Sequence, residues 1–400
     1  MALDIVPDPK AQAEFHTATH VLMHEPGVEV SFGLMHAQGS LYEAPFDLRE
    51  AIKEHREFVD VLRNMGINVY LIGDLLIQGT VDANGHTLPG PDLDGLLRLA
   101  ADSLEYDPGD IPIQACNAYK ETTLRKLHPT ELFNIIVLRP KLRLESRPSG
   151  EVRVKDYKVR PLNNLFFTRD SCITTDVGVV IANMSEPARL PETQVVKLAL
   201  SKLGITPIAE IQEPGKLEGG DFIPAGKAAF IGVGLRTNDE AVEELLNRGA
   251  CSYDRVVLVR DPLRSMAQMH LDTYFNVVGP NKVLLREARL TVSAERPTVD
   301  VYSRQRNGTY RQSNRNQDFI ELLKNMNFQI LPVSDVDQQS YGVNVLCVAE
   351  NRIVGSTQQR TRYYDLFRYN RVAATFVRMD NIRLGYGSNR CMTQVLSRTQ

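Results

Sequence analysis

The chain has 400 residues, 43% hydrophobic and 24% charged, the balance of an ordinary globular protein with room for one large domain or two to three modest ones. With 46 Lys and Arg against 49 Asp and Glu, the net charge of −3 excludes an overall basic bias toward nucleic acid or anionic lipid, leaving only local patches. The cysteines, Cys116, Cys172, Cys251, Cys347 and Cys391, are odd in number and lack CxxC or metal-type spacing, so they read as free thiols in a reducing compartment.

The opening "MALDIVPDPKAQAEFH" lacks the apolar segment of a secretory signal, and no apolar run approaches a membrane span. A cytoplasmic location is expected, with a reducing organelle also compatible, and the sequons at Asn183 and Asn307 read as chance matches. "HVLMHEPG" (20–27) reads as a strand ending in a turn. "DLREAIKEHREFVDVLRNMG" (47–66) follows as a helix, with Ile52, Phe58, Val59, Val61 and Leu62 on one face and Gly66 as its stop. "INVYLIGDLL" reads as a buried strand, so the chain begins strand, helix, strand, an α/β rhythm.

The rhythm then breaks. "GTVDANGHTLPGPD" is turn-rich, "LDGLLRLAADSLEY" and "HPTELFNIIVLR" have short helical patterns, and "LRLESRPSGEVRVKDYKV" reads as a hairpin. Residues 78–158 are therefore expected to be a mainly helical insertion, dividing one domain into 1–77 and 159–400. From about 160 the α/β rhythm returns: "GVVIANM", "AAFIGVG", "RVVLVR", "YFNVVG", "KVLLRE", "FQILPV", "VLCVAENRIVGS" and "VAATFV" look like strands. Helical patterns fall near 191–203, 238–248 and 316–326. Strand pairs recur with helices between them, without a close sequence repeat.

Several polar clusters do not suit a core. "NNLFFTRD" sets Asn164, Arg169 and Asp170 around Phe166 and Phe167; "LEGGD" sets Glu218 and Asp221 around two glycines; "MHLDTYF" sets His270 and Asp272 two apart, on one face if the segment is a strand. "PARLPE" and "GVGLR" add Arg189 and Arg236, and "GYGSNRC" brings glycines and Arg390 up to Cys391. Singly, each has a plainer reading. A lone thiol packs, a lone His is a satisfied core or surface group, the acidic turn caps a helix, and HxD lacks further ligands for a metal. Together they offer a nucleophile, a proton carrier and a ring of carboxylates. Thiolate attacks carbon, with Arg390 placed to steady it; imidazole moves protons; carboxylates repel anions and suit a planar guanidinium with its five N–H donors.

In that order and at those intervals, "FTRD", "PARLPET", "LEGGD", "MHLDTYF" and the terminal "RCM…LSR", with "EHREFVDVLRNMGINVYLIGDLL" near the start, resemble the arginine deiminase family of the guanidino-group modifying (amidinotransferase) superfamily. The resemblance implies a pentein-type fold, a pseudo-fivefold α/β propeller with a mainly helical insertion after the first unit. It implies hydrolysis of L-arginine to L-citrulline and ammonia through a covalent amidino-cysteine intermediate. Cys391 would be the nucleophile, His270 the acid and then base, Glu218 its orienting partner, and Asp170 and Asp272 the clamp on the guanidinium. Asn164, Arg189 and Arg236 match positions that take the substrate carboxylate, and Phe167 would line the slot. Two arginines there favour arginine over agmatine, which has no carboxylate.

No metal or organic cofactor is implied, and the only implied partners are the substrate and, because relatives form dimers or larger assemblies, further copies of the chain. The lead-in "LGYGSNRC" departs from the family pattern by placing Leu384 and Tyr386 where many members have an Arg, with Arg383 just before. The loop "GLMHAQGSLYE" also differs, leaving the pocket for the α-amino group unassigned. Sister activities share the same Cys, His and Glu: an arginine dihydrolase giving ornithine, an amidinotransferase, a methylarginine hydrolase. A non-catalytic arginine binder would have little need of the nucleophile.

Overall fold

The computed structural model describes residues 5–357 and 359–400. One motif recurs five times. Each copy has two antiparallel strands, a helix, and a third strand parallel to the second. Nearest the N-terminus, strand Thr17–Met23 pairs antiparallel with the C-terminal strand Gln394–Thr399 and parallel with Asn68–Leu71, so both ends of the chain share one sheet. The next four begin at Cys172–Thr174, Phe222–Ala225, Phe275–Gly279 and Leu346–Ala349. Their parallel third strands are Ala209–Glu210, Arg255–Arg260, Gln329–Val333 and Ala373–Val377. A crossover helix precedes each third strand: Leu48–Asn64, Glu192–Lys202, Asp239–Asn247, Phe319–Asn325 and Thr361–Tyr369. Parallel pairing demands such a crossover, and strands buried on both faces read as continuous apolar runs; Ala228–Val233 is buried throughout.

The Leu48–Asn64 helix forms where the sequence predicts it. Asp47 caps it by accepting from the Arg49 and Glu50 N–H groups, and Ala51, His55, Phe58, Val59 and Leu62 form its buried face. Gly66 ends it with φ of 82°, a left-handed conformation that favours glycine. "INVYLIGDLL" is corrected: only Asn68–Leu71 is a strand, and Ile72–Ile77 is a helix. A short apolar run does not distinguish a strand from a buried helix. Residues 298–318 add an unforeseen hairpin, Thr298–Arg304 with Tyr310–Asp318, to the edge of the third sheet. Its outer strand is too polar to register as a strand by sequence.

The segment 78–158 holds helices Pro91–Ser103, Ile113–Leu124 and Pro129–Leu138 and a three-stranded sheet from Glu105–Asp107, Lys141–Ser146 and Val152–Lys158. Leu96, Ala100, Leu132 and Ile136 pack in one cluster with Val196 and Leu200 of the second unit's helix. No described helix is long and apolar enough to cross a membrane.

The repetition places the site. Immediately before each unit's first strand the chain makes a short polar passage: Thr168–Ser171, Gly219–Asp221 and Leu271–Thr273 are single 3-10 turns, and Asn344 and Cys391 precede Leu346–Ala349 and Gln394–Thr399. Five equivalent positions therefore supply the polar residues of one centre.

Candidate active site

Seven of the nine residues to which the resemblance gives roles line one cavity: Asn164, Phe167, Asp170, Arg189, Arg236, His270 and Cys391. Glu218 and Asp272 are fully buried and contact His270 and Arg390 respectively. The glycines of "LEGGD" permit this approach. A Cβ at Gly219 would lie 2.0 Å from the Arg169 carbonyl oxygen, and one at Gly220 would lie 2.7 Å from the His270 ring. No other residue type fits without displacing the neighbouring turn.

His270 Nε2 sits 2.8 Å from Glu218 Oε2, and Nδ1 lies 3.7 Å from Asp170 Oδ1. Burial alone would lower the imidazole's pKa, but the Asp170 charge and the hydrogen bond to Glu218 raise it to about 9. Glu218 also accepts from the Ser185 N–H and hydroxyl at 2.9 and 3.0 Å. Burial opposes its charge, yet His270, Arg189 and Arg236 bring its pKa down to about 2. At neutral pH the pair is an imidazolium–carboxylate. The Cys391 thiol, by contrast, is pushed well above its usual range by burial and by the Asp272 and Asp170 charges.

The expected strand-face arrangement of His270 and Asp272 does not occur. Asp272 lies on the 3-10 turn Leu271–Thr273 and His270 just before it: His270 meets Glu218 and Asp170, whereas Asp272 Oδ2 accepts from Arg390 Nη1 at 2.8 Å. Asp272 Oδ1 is buried and has no hydrogen-bond partner among the described residues. Such an oxygen is an open acceptor. Arg390 is not directed at the thiol. It is spent on Asp272, on Glu14 (Nε to Oε1, 3.1 Å) and on the Phe222 carbonyl at 2.8 Å.

Arg189 is likewise engaged. Nη1 donates to Asp170 Oδ2 at 2.9 Å and lies 3.9 Å from Glu218 Oε2, while Nη2 donates to Glu192 Oε2 at 2.9 Å. Burial raises the Glu192 pKa to about 7 against the opposing pull of Arg189. Arg236 donates to Ser185 Oγ at 3.2 Å and pairs with Glu186 at 2.8 Å, but its buried Nε has no partner among the described residues. Asn164 Nδ2 donates to the Ser40 carbonyl at 3.0 Å.

The cavity is only about 20 Å³, room for about one water, and its roof holds Leu41, Met269, Gly385 and Tyr386. Leu41 and Tyr386 hold positive φ, 62° and 67°, a strained conformation for non-glycine residues and one that clusters at functional sites. The Glu43 N–H donates to the Leu384 carbonyl at 2.7 Å, joining the two roof loops. Entry of an amino acid requires these loops to part.

Among the described residues, Asp170, Glu218 and His270 form the one group whose donor atoms cluster as metal ligands would, within 4.8 Å. Those donors already hold one another and Arg189, and a metal would have to displace the imidazole proton. Sequence reasoning missed Glu14, Glu192 and Asn344. Glu192 was within reach, three residues after Arg189 in "PARLPET"; Glu14 and Asn344 carry no local signal.

The family model described as "Arginine deiminase" matches residues 39–398. An arginine deiminase of Halobacterium salinarum is 24% identical, covering 98% of this chain and 96% of its own length. One of Metamycoplasma arthritidis is 26% identical, covering 94% of each. Among solved structures, dimethylarginine dimethylaminohydrolase from Pseudomonas aeruginosa aligns with a TM-score of 0.54 at 13% identity, covering 94% of this chain and 99% of that one. The N-terminal domain of ArgZ, a cyanobacterial arginine dihydrolase, aligns at 0.57 and 12%, covering 95% and 98%. At such identities the likeness is one of fold: a mixed α/β pentein-type architecture. The family model covers nearly the whole chain and includes all nine residues that the resemblance gives roles; this protein belongs to the arginine deiminase family.

Proposed function

We propose that this chain hydrolyses L-arginine to L-citrulline and ammonia, with Cys391 as nucleophile. The observation that carries the reading is the set of groups gathered at one cavity. The Cys391 thiol, His270 with Glu218 behind it, the Asp170 carboxylate and Arg236 with an unpartnered Nε meet there, and Asp272 lies buried beside them with an open Oδ1. That is the complement of a guanidinium joined to a carboxylate.

The substrate guanidinium replaces Arg189 at Asp170 and meets Asp272 Oδ1. The arriving cation offsets the two carboxylates that hold the thiol protonated, and the thiol proton is released. The thiolate attacks the guanidinium carbon to give a neutral tetrahedral adduct. The His270 imidazolium donates its proton to one amino group, the C–N bond breaks, and ammonia leaves from a cationic amidino-thioether. Neutral His270 then takes a proton from water as its oxygen bonds to the same carbon. The C–S bond breaks, returning the thiolate, and the protonated urea loses its proton to become citrulline. Freed from Asp170 but held by Glu192, Arg189 joins Arg236 and Asn164 at the substrate carboxylate, and Phe167 walls the slot.

We read the five repeats as a pseudo-fivefold propeller formed by 1–77 and 159–400, with 78–158 as an insertion docked on its second unit. The described cysteines are all free, which suits a reducing, cytoplasmic setting. A homo-oligomer is expected from the family resemblance, and light scattering would read it.

The test is product analysis. Wild type and Cys391→Ser are incubated with arginine, and citrulline, ornithine and ammonia are measured. Equal citrulline and ammonia, absent in the variant, is the expected result. Ornithine with two ammonia would replace the reading with a dihydrolase, and no turnover by wild type would remove it.

A further inference from the structure

We propose that Asn344 is a positioning residue for the nucleophile: its side-chain amide ties the Cys391 backbone to the Asp272 backbone and sets the spacing between thiol and clamp, while Asn276 holds Asn344 from behind. Asn344 is fully buried just before the first strand of the fifth unit, the position that supplies Asp170, Glu218, Asp272 and Cys391 in the other four. Its Oδ1 accepts from the Cys391 N–H at 3.1 Å, and its Nδ2 donates to the Asp272 carbonyl at 3.4 Å. Its own carbonyl accepts from the Arg390 N–H at 3.2 Å. One residue thus holds both the nucleophile and the residue whose guanidinium orients Asp272.

Behind it, Asn276 on strand Phe275–Gly279 is also fully buried. Its Nδ2 donates to the Val343 and Val345 carbonyls, at 3.0 and 2.8 Å, fixing the backbone on both sides of Asn344. Its Oδ1 accepts from the Val277 N–H at 2.8 Å. Burying two amides is costly unless their groups are paired. Apart from the Asn276 Oδ1 contact within its own strand, the pairs run across units, from the fourth through the fifth to the first. Leu346–Ala349 pairs with Arg352–Ser356, with a register shift after Cys347, and neither amide takes part in that ladder. What they fix is the loop that meets Cys391. The same Asn344 amide favours the thiolate, against burial, Asp272 and Asp170, which favour the thiol.

The experiment compares wild type, Asn344→Ala and Asn276→Ser in two measurements: the pH dependence of Cys391 alkylation by iodoacetamide, located by peptide mass spectrometry, and kcat and KM for arginine. The kinetic arm rests on the deiminase reading; the alkylation arm does not. In Asn344→Ala the alkylation midpoint is expected to rise by about one pH unit, and kcat to fall on the order of 10- to 100-fold with KM within about 3-fold. Asn276→Ser should shift both in the same direction by less. A folded Asn344→Ala protein, judged by melting, with an unchanged alkylation profile and kcat within about 2-fold would overturn the proposal. If Asn344→Ala does not fold, Asn276→Ser decides by the same criteria. If wild type yields no citrulline, the deiminase reading falls and the alkylation midpoints still decide the role of Asn344.

Discussion

The Arg189 guanidinium donates to Asp170 Oδ2 at 2.9 Å, so a protein arginine occupies part of the seat assigned to the substrate's own guanidinium. Glu192 grips the other edge through Nε and Nη2. On the proposed reading, substrate binding exchanges one guanidinium for another at Asp170 and releases Arg189 toward the carboxylate end.

Arg189→Ala is expected to raise KM for arginine by on the order of 30-fold or more, the scale of a lost partner for a buried charge. Agmatine, which has no carboxylate, should lose far less, since the variant also frees Asp170. The ratio of kcat/KM for arginine over agmatine is the measurement. An unchanged ratio would confine Arg189 to its carboxylate partners Asp170 and Glu192.

In the proposed mechanism His270 starts protonated, and its pKa is raised to about 9. The alkaline limb of kcat/KM should therefore fall through about pH 9 as the imidazolium is lost. Glu218→Gln removes a hydrogen-bonded charge that raises this pKa, so the limb should move to lower pH by about one unit or more. A pH–rate series on both proteins checks it; a limb that stays in place would separate it from the His270–Glu218 pair.

His55, on the Leu48–Asn64 helix, is fully buried, and neither ring nitrogen has a partner among the described residues. Burial lowers its pKa to about 3, with His24, Arg56 and Arg63 also opposing its charge and Glu25 favouring it. The unfolded chain takes up this proton near its ordinary value of 6.5, so the contribution is complete above that and is lost as pH falls toward 3. By pH 5 the loss is about 2 kcal/mol. His55→Leu should melt progressively higher than wild type between pH 7 and pH 5, gaining about 2 °C. A difference that does not depend on pH would mean that His55 does not titrate this way.

Gly387 packs on Phe167 so closely that a Cβ would lie 2.5 Å from its ring. Gly387→Ala must push the ring toward the cavity or lift the loop that leads to Cys391. We expect kcat/KM to fall by on the order of 10- to 100-fold, with partial recovery in the double variant Gly387→Ala, Phe167→Leu. Additive losses in the double variant would argue against contact as the cause.

Much of the architecture was legible because it is local. The apolar face and the Gly66 stop announce Leu48–Asn64, and "VLCVAENRIVGS", read as strand, is two strands around a turn. The helix Ile113–Leu124 and the hairpin at 298–318 were not legible. The helix has a weak apolar face, and the hairpin's outer strand is almost wholly polar and exposed. Most of the site residues were recognisable because they sit in short motifs beside glycines or aromatics; Arg189, in "PARLPE", was recognisable through its place in the family order.

By itself the sequence determined which chemistry was present: a thiol, an imidazole, carboxylates and arginines in an order that matches one family. Tertiary structure decided who pairs with whom. Arg390, beside the nucleophile in the chain, turns to Glu14 and Asp272, and Arg189 turns to Asp170 and Glu192. Asn344, which no motif marks, holds the Cys391 backbone. Charge pairing and proton affinity depend on distance and on exclusion of water, and five chain passages far apart in sequence meet only when the repeated units close around one centre.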